Sequence, residues 1–149
     1  MKLDIYEKER PVGIQIFGAN LDSMLRSVDI VEKTNPDIID INFGCPVKKV
    51  VCKGAGAGIL KDIDKMEMLT REMAKRTKLP VTVKTRLGWD EKTIKIIEVA
   101  ERIQDAGAKA ITIHGRTRAQ MYKGNADWSL ISEVKNCLLY TSPSPRDGD

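Results

Sequence analysis

The 149-residue chain is 42% hydrophobic and 31% charged, which fits one soluble globular domain, or a piece of a larger one, and excludes a disordered polymer. Its 25 Lys and Arg against 21 Asp and Glu leave a net charge of +4, enough to permit a polyanionic partner and too little to identify one. Three cysteines without CxxC spacing argue against a disulfide framework and a cysteine-based zinc site, so no metal is expected and a reducing cytoplasm is the expected location.

Residues 12–17 (Val-Gly-Ile-Gln-Ile-Phe) read as the first strand, closed by Gly18. Asn20 is placed to cap a helix whose apolar residues Leu21, Met24, Leu25, Val28 and Val31 share a face. Residues 37–43 are β-branched and apolar enough for an inner strand, which Gly44 and Pro46 stop. After the run Gly54-Ala-Gly-Ala-Gly58, Asp62 can cap a helix carrying Ile63, Met66, Leu69 and Met73. A third strand covers 80–85. Asp90 then starts a helix with Ile94, Ile97, Ala100 and Ile103 inward and Gly107 as its stop. A fourth strand covers 110–114, and a short helix covers 127–135. Four β-then-α units with short joins predict an α/β fold with parallel strands and right-handed crossovers. No apolar run reaches the roughly 20 residues that a bilayer span requires, and the start has no signal-peptide core.

What ends the strands points to a site. Gln15 lies near the end of the first, Asn42 and Cys45 finish the second, Lys84 and Arg86 the third, and His114 and Arg116 the fourth. Alternation places Thr82, Lys84 and Arg86 on one face, and likewise Thr112, His114 and Arg116. Polar groups at the carboxyl ends of successive parallel strands converge in a (β/α) barrel, although any one of them could simply be a solvated strand end. The glycine run could approach a phosphate through its N–H groups, with Lys48, Lys49 and Lys53 nearby, or be a solvated mobile loop. It lacks Rossmann spacing. Cys45 alone could be a small buried hydrophobe, but its place between Gly and Pro at a strand end favours chemistry. Cys52 reads as structural or incidental.

Three segments carry a resemblance: Asp40-Ile-Asn-Phe-Gly-Cys-Pro46, Val83-Lys-Thr-Arg86 and Ile113-His-Gly-Arg-Thr-Arg118. They resemble the signature segments of the tRNA-dihydrouridine synthases, most closely the bacterial B-type members, over residues 10 to 135. The resemblance implies a flavoprotein with an FMN-binding (β/α)₈ TIM barrel and a C-terminal helical domain, reducing tRNA uridines to 5,6-dihydrouridine with NADPH. It assigns Cys45 as the acid that protonates the uracil, and an unperturbed thiol is protonated at neutral pH. It assigns Gln15, Lys84 and His114 to the flavin, and Asn42 and Arg86 to the uracil. Arg116, Arg118, Lys48 and Lys49 are expected at tRNA phosphates. The intact enzyme is expected to be a monomer that binds tRNA, with no membrane and no metal.

The chain departs from the family pattern at both ends. No Pro-Met-Ala-like flavin segment precedes Val12, and the expected Asn-Gly-Asp and Gly-Arg segments for the FMN phosphate do not follow. Residues 1–136 therefore read as a partial FMN-binding TIM-barrel domain of about four β/α units, strands three to six of the family barrel. Residues 137–149, ending Ser-Pro-Ser-Pro-Arg-Asp-Gly-Asp, read as a disordered, non-native tail. Two other readings share the fold or the fragment character. One is an FMN-dependent dihydroorotate or dihydropyrimidine dehydrogenase acting on free pyrimidines, and the other an inert RNA-binding fragment.

Overall fold

A computed structural model describes residues 3–138. Four strands, β1 (Gly13–Ile16), β2 (Ile38–Phe43), β3 (Val81–Arg86) and β4 (Ala110–His114), form one parallel sheet in the order β1-β2-β3-β4. Consecutive strands are therefore neighbours, with none of the order reversal of a doubly wound sheet. The helices are α1 (Leu21–Glu32), the single turn α2 (Lys48–Val51), α3 (Ile63–Arg76), α4 (Ile96–Asp105) and α5 (Ser129–Cys137). Residues of α1, α3, α4 and α5 join Ile39, Ile41, Phe43, Val81 and Val83 in one core cluster on one side of the sheet. A sequentially ordered parallel sheet with its helices on one side is a segment of a (β/α) barrel.

The local reasons are in the sequence. The Asn20 side chain accepts from the Ser23 amide at 2.9 Å and starts α1, which buries Met24, Val28 and Val31. Asp62 does the same for α3 through the Lys65 amide at 3.0 Å, and Met66, Leu69 and Met73 go inward. In β2 the pattern alternates strictly. Ile39, Ile41 and Phe43 are fully buried against the helices, each contributing roughly 1.5–3 kcal/mol relative to exposure, while Asp40 and Asn42 face the other way.

The helix expected from Asp90 is two pieces. Asp90 and Thr93 form a capping box around a 3-10 turn, Glu91–Thr93, and Ile94 makes an antiparallel bridge to Gly88 instead of continuing as helix. The α-helix starts at Ile96, so its buried face is Ile96, Val99, Ala100 and Ile103, with Ile94 and Ile97 only partly buried. Helix α5 runs one residue beyond the expected domain end at 136. The expected tail otherwise falls on 139–149, outside the described residues.

Candidate active site

The face of the sheet away from the helices is polar. Across it the register aligns Gln15 with Asp40 and Asp40 with Thr82, then Asn42 with Lys84 and Lys84 with Thr112, and finally Arg86 with His114. Gln15, Asn42, Lys84, Arg86 and His114 lie at or near the carboxyl ends of their strands, with Asp40, Thr82 and Thr112 deeper along them, so sequence alternation and parallel pairing alone assemble the row. Hydrogen bonds join it. Gln15 Nε2 donates to Asp40 Oδ2 at 2.6 Å, Thr82 Oγ1 to Asp40 Oδ1 at 2.6 Å, and Asn42 Nδ2 to Gln15 Oε1 at 2.9 Å.

Cys45 follows directly. Asn42 Oδ1 accepts from the amides of Gly44 at 3.0 Å and Cys45 at 2.9 Å, an Asx-type turn that ends β2 and places a partly buried, unpaired thiol residue at the top of the sheet. The Cys45 carbonyl accepts from the Ala57 amide at 2.9 Å, so the glycine run folds back onto this turn. That run is not a solvated loop. Residues 55–60 are buried, Gly56–Lys61 forming a 3-10 turn, and Gly56 sits at φ +55° with no room for a side chain: a Cβ there would lie 2.7 Å from the Cys45 carbonyl oxygen. Lys48 and Lys49 are exposed on α2, immediately after Cys45 and Pro46.

Arg86, expected at the uracil, is tied into the backbone around it. It is buried to 2% exposure, with Nε donating to the Gly44 carbonyl at 2.9 Å and Nη1 to the carbonyls of Thr117 at 3.1 Å and Met121 at 2.7 Å. Burial pulls its pKa below the ordinary guanidinium value. Its guanidinium also lies 5.4 Å from the ring of Tyr122, an exposed aromatic that no sequence motif singles out. The segments after β3 and β4 stay together past the strands, with Leu87 N–H on the Arg116 carbonyl and Arg118 N–H on the Gly88 carbonyl.

His114 has Arg116 Nη1 at 3.1 Å from its Nε2. An arginine nitrogen only donates, so Nε2 accepts and the neutral ring carries its proton on Nδ1. Burial, then the charges of Arg86, Lys84 and Arg116, holds its pKa below 6.5. Arg116 itself turns to the Gly124 carbonyl at 2.8 Å, and Arg118 lies over Trp89 at 4.7 Å, its Nε buried without a partner among the described residues. Lys61 lies over the same indole at 3.8 Å. Gln15, Asn42, Cys45, Lys84 and His114 thus belong to one sheet end. Arg116 and Arg118 are held by neighbouring groups at its rim, and Lys48 and Lys49 are exposed on α2.

The family model for dihydrouridine synthase (Dus) matches residues 1–140. The chain belongs to the dihydrouridine synthase family. It is 42% identical over 147 residues, 99% of its length, to "Probable tRNA-dihydrouridine synthase 1" of Synechocystis sp., covering 41% of that protein. It is 38% identical over 135 residues, 90% of its length, to "tRNA-dihydrouridine synthase B" of Vibrio vulnificus, covering 42% of it. A "Probable tRNA-dihydrouridine synthase" of Rhodobacter capsulatus shares 42% over 139 residues, 93% of the chain and 42% of that protein. The chain therefore spans about two fifths of the length of these curated relatives. The family match, to residue 140, runs past residue 135, where the motif resemblance ends.

For a dihydrouridine synthase a flavin is the implied cofactor, and the row of side chains can be judged against it. Lys84, exposed on the polar face, is a cation of the kind a reduced flavin would need for its charge, and Gln15 and a neutral His114 add hydrogen-bonding groups. This donor set fits the ring system. In the glycine run the amides of Gly54, Ala57 and Gly58 are already taken by the carbonyls of Val51, Cys45 and Ala55.

Among the described residues no helix is long and apolar enough to cross a membrane, and no group of three His, Cys, Asp or Glu could hold a metal.

Proposed function

We propose that this chain is the catalytic-barrel segment of a synthase that reduces uridine in tRNA to 5,6-dihydrouridine, with FMN as cofactor, NADPH as reductant and the cytoplasm as its location. The observation that carries this reading is the Asn42-held turn that fixes Cys45 beside the polar face bearing Lys84. Bound reduced flavin would supply the hydride for C6 of the uracil. Cys45 gives its Sγ proton to C5, and the thiolate regains a proton from solvent, so one hydride and one proton saturate the C5=C6 bond. Lys84 favours negative charge at the flavin edge. Gln15 and Asn42 present amide edges at the same strand ends. His114, held neutral, offers its Nδ1–H.

Arg86 acts in this reading by holding Gly44 and the 117–121 loop about the target base, and Lys48, Lys49, Arg116 and Arg118 face the tRNA backbone. The decisive experiment is mass spectrometry of tRNA from a strain lacking its own synthases and carrying a full-length synthase with this segment. Dihydrouridine should appear with the natural sequence and be lost with Cys45→Ala. Reduction of free dihydropyrimidine precursors without any tRNA product would instead favour the dehydrogenase reading.

A further inference from the structure

We infer that Asp40 is the positioning residue for Cys45, acting through Gln15 and Asn42. This rests on the reading of Cys45 as the proton donor. Asp40 touches neither Cys45 nor, in the proposed chemistry, the reacting atoms. Its effect follows from the polarity of a chain of hydrogen bonds: Asp40 Oδ2 accepts from Gln15 Nε2, Gln15 Oε1 accepts from Asn42 Nδ2, and Asn42 Oδ1 accepts from the Gly44 and Cys45 amides.

The two ends of that chain admit one direction only. Backbone N–H groups can only donate, and an ionised carboxylate can only accept. Each intervening amide has one donating and one accepting end, so a flip of Gln15 or of Asn42 would set donor against donor or acceptor against acceptor. The carboxylate is itself held from turning, because Thr82 Oγ1 donates to Oδ1 at 2.6 Å from the next strand. Gln15, Asp40 and Thr82 are register partners on three adjacent strands, so the anchor is built on rigid elements rather than on the loop it controls.

What the chain requires of residue 40 is an acceptor, not a charge. In Asp40→Asn the amide oxygen can face Gln15, and its NH₂ can face Thr82, whose hydroxyl both donates and accepts. Asp40→Ala removes the acceptor. Gln15→Glu removes the donor and sets two carboxylates side by side. Either change leaves Asn42 Nδ2 an acceptor on residue 15 but removes the bond to residue 40 that fixes that acceptor in place, so the turn at Cys45 should loosen.

The test is hydrogen exchange in a full-length synthase carrying this segment, read from overlapping peptides covering Gly44 and Cys45, with the Val83 region of β3 as reference. Asp40→Ala and Gln15→Glu should exchange about tenfold faster at Gly44 and Cys45, as expected for loss of one supporting hydrogen bond, with Val83 unchanged. Asp40→Asn should stay near the natural rate. Natural exchange at Gly44 and Cys45 in Asp40→Ala would overturn the proposal. So would uniform acceleration that includes Val83, because Asp40 would then merely hold the sheet. Should Asp40→Ala fail to fold, Gln15→Glu against Asp40→Asn separates the same two outcomes. Because exchange is read without turnover, a Cys45→Ala enzyme that still made dihydrouridine would sink the role of Cys45 and leave this result standing.

Discussion

The α-carbon of Gly56 faces the carbonyl of Cys45 so closely that a Cβ would stand 2.7 Å from that oxygen and 3.0 Å from the Cys45 Cβ. With φ at +55°, Gly56 is also in a conformation that other residues adopt only at a cost. Gly56→Ala should destabilise the fold by about 1–3 kcal/mol and shift the Cys45 turn. Chemical denaturation of a full-length synthase measures the first. An unchanged midpoint would mean that the 3-10 turn yields without consequence.

Cys45→Ala removes a proton donor while leaving the Asn42 turn intact, since that turn uses the backbone amide of residue 45. Dihydrouridine formation should fall about 10²–10⁴-fold with flavin retention unaltered. Turnover close to the natural rate would take Cys45 out of the mechanism.

Lys84 is an exposed cation on the polar face, aligned with Asn42 and Thr112. Lys84→Met should lower the reduction potential of bound flavin and weaken its binding, because charge on the reduced ring loses its counterion. Spectroelectrochemical titration checks this, and an identical potential would show that the ammonium group acts elsewhere.

His114 titrates below 6.5 through burial and through the charges of Arg86, Lys84 and Arg116. The unfolded chain therefore binds more protons than the folded one as pH falls below 6.5, and stability declines in that range. It is fully present above pH 6.5 and is lost as pH falls through the lower folded value. Arg116→Gln should move the ring's pKa upward in an NMR titration. A fall would contradict the assigned repulsion.

The sheet has two outer strands, β1 and β4, with one flank each unpaired among the described residues, and the chain covers about two fifths of its relatives. Purified alone, the 149-residue chain should be colourless, self-associating or loosely packed, and inactive on tRNA. A yellow monomer with a cooperative melt would show that these four β/α units suffice.

Much of the fold is legible in the sequence because periodicity encodes it. The alternation of β2 and the caps at Asn20 and Asp62 dictate both the elements and the face on which Gln15, Asn42 and Lys84 appear. The places where the structure departs are those decided by distant contacts. Ile94 and Ile97 have helical spacing, but the Asp90–Thr93 capping box and the bridge to Gly88 set the real start two residues after Ile94. Glycine content suggests freedom, whereas the positions of Gly56 and Gly58 are set by the backbones of Cys45 and Val51. Alternation puts Arg86 on the polar face correctly. Its burial depends on the 117–121 loop, which no local pattern announces.

That buried guanidinium has a mechanical consequence. It is a hub with three spokes, one to Gly44 beside Cys45 and two to the loop that carries Tyr122. A displacement of that loop bears on the bonds from Arg86 to Thr117 and Met121, and through the same guanidinium on the bond to Gly44 beside Cys45. Cys45 and the aromatic at the rim are thereby tied, through their neighbours in the chain, to one buried side chain.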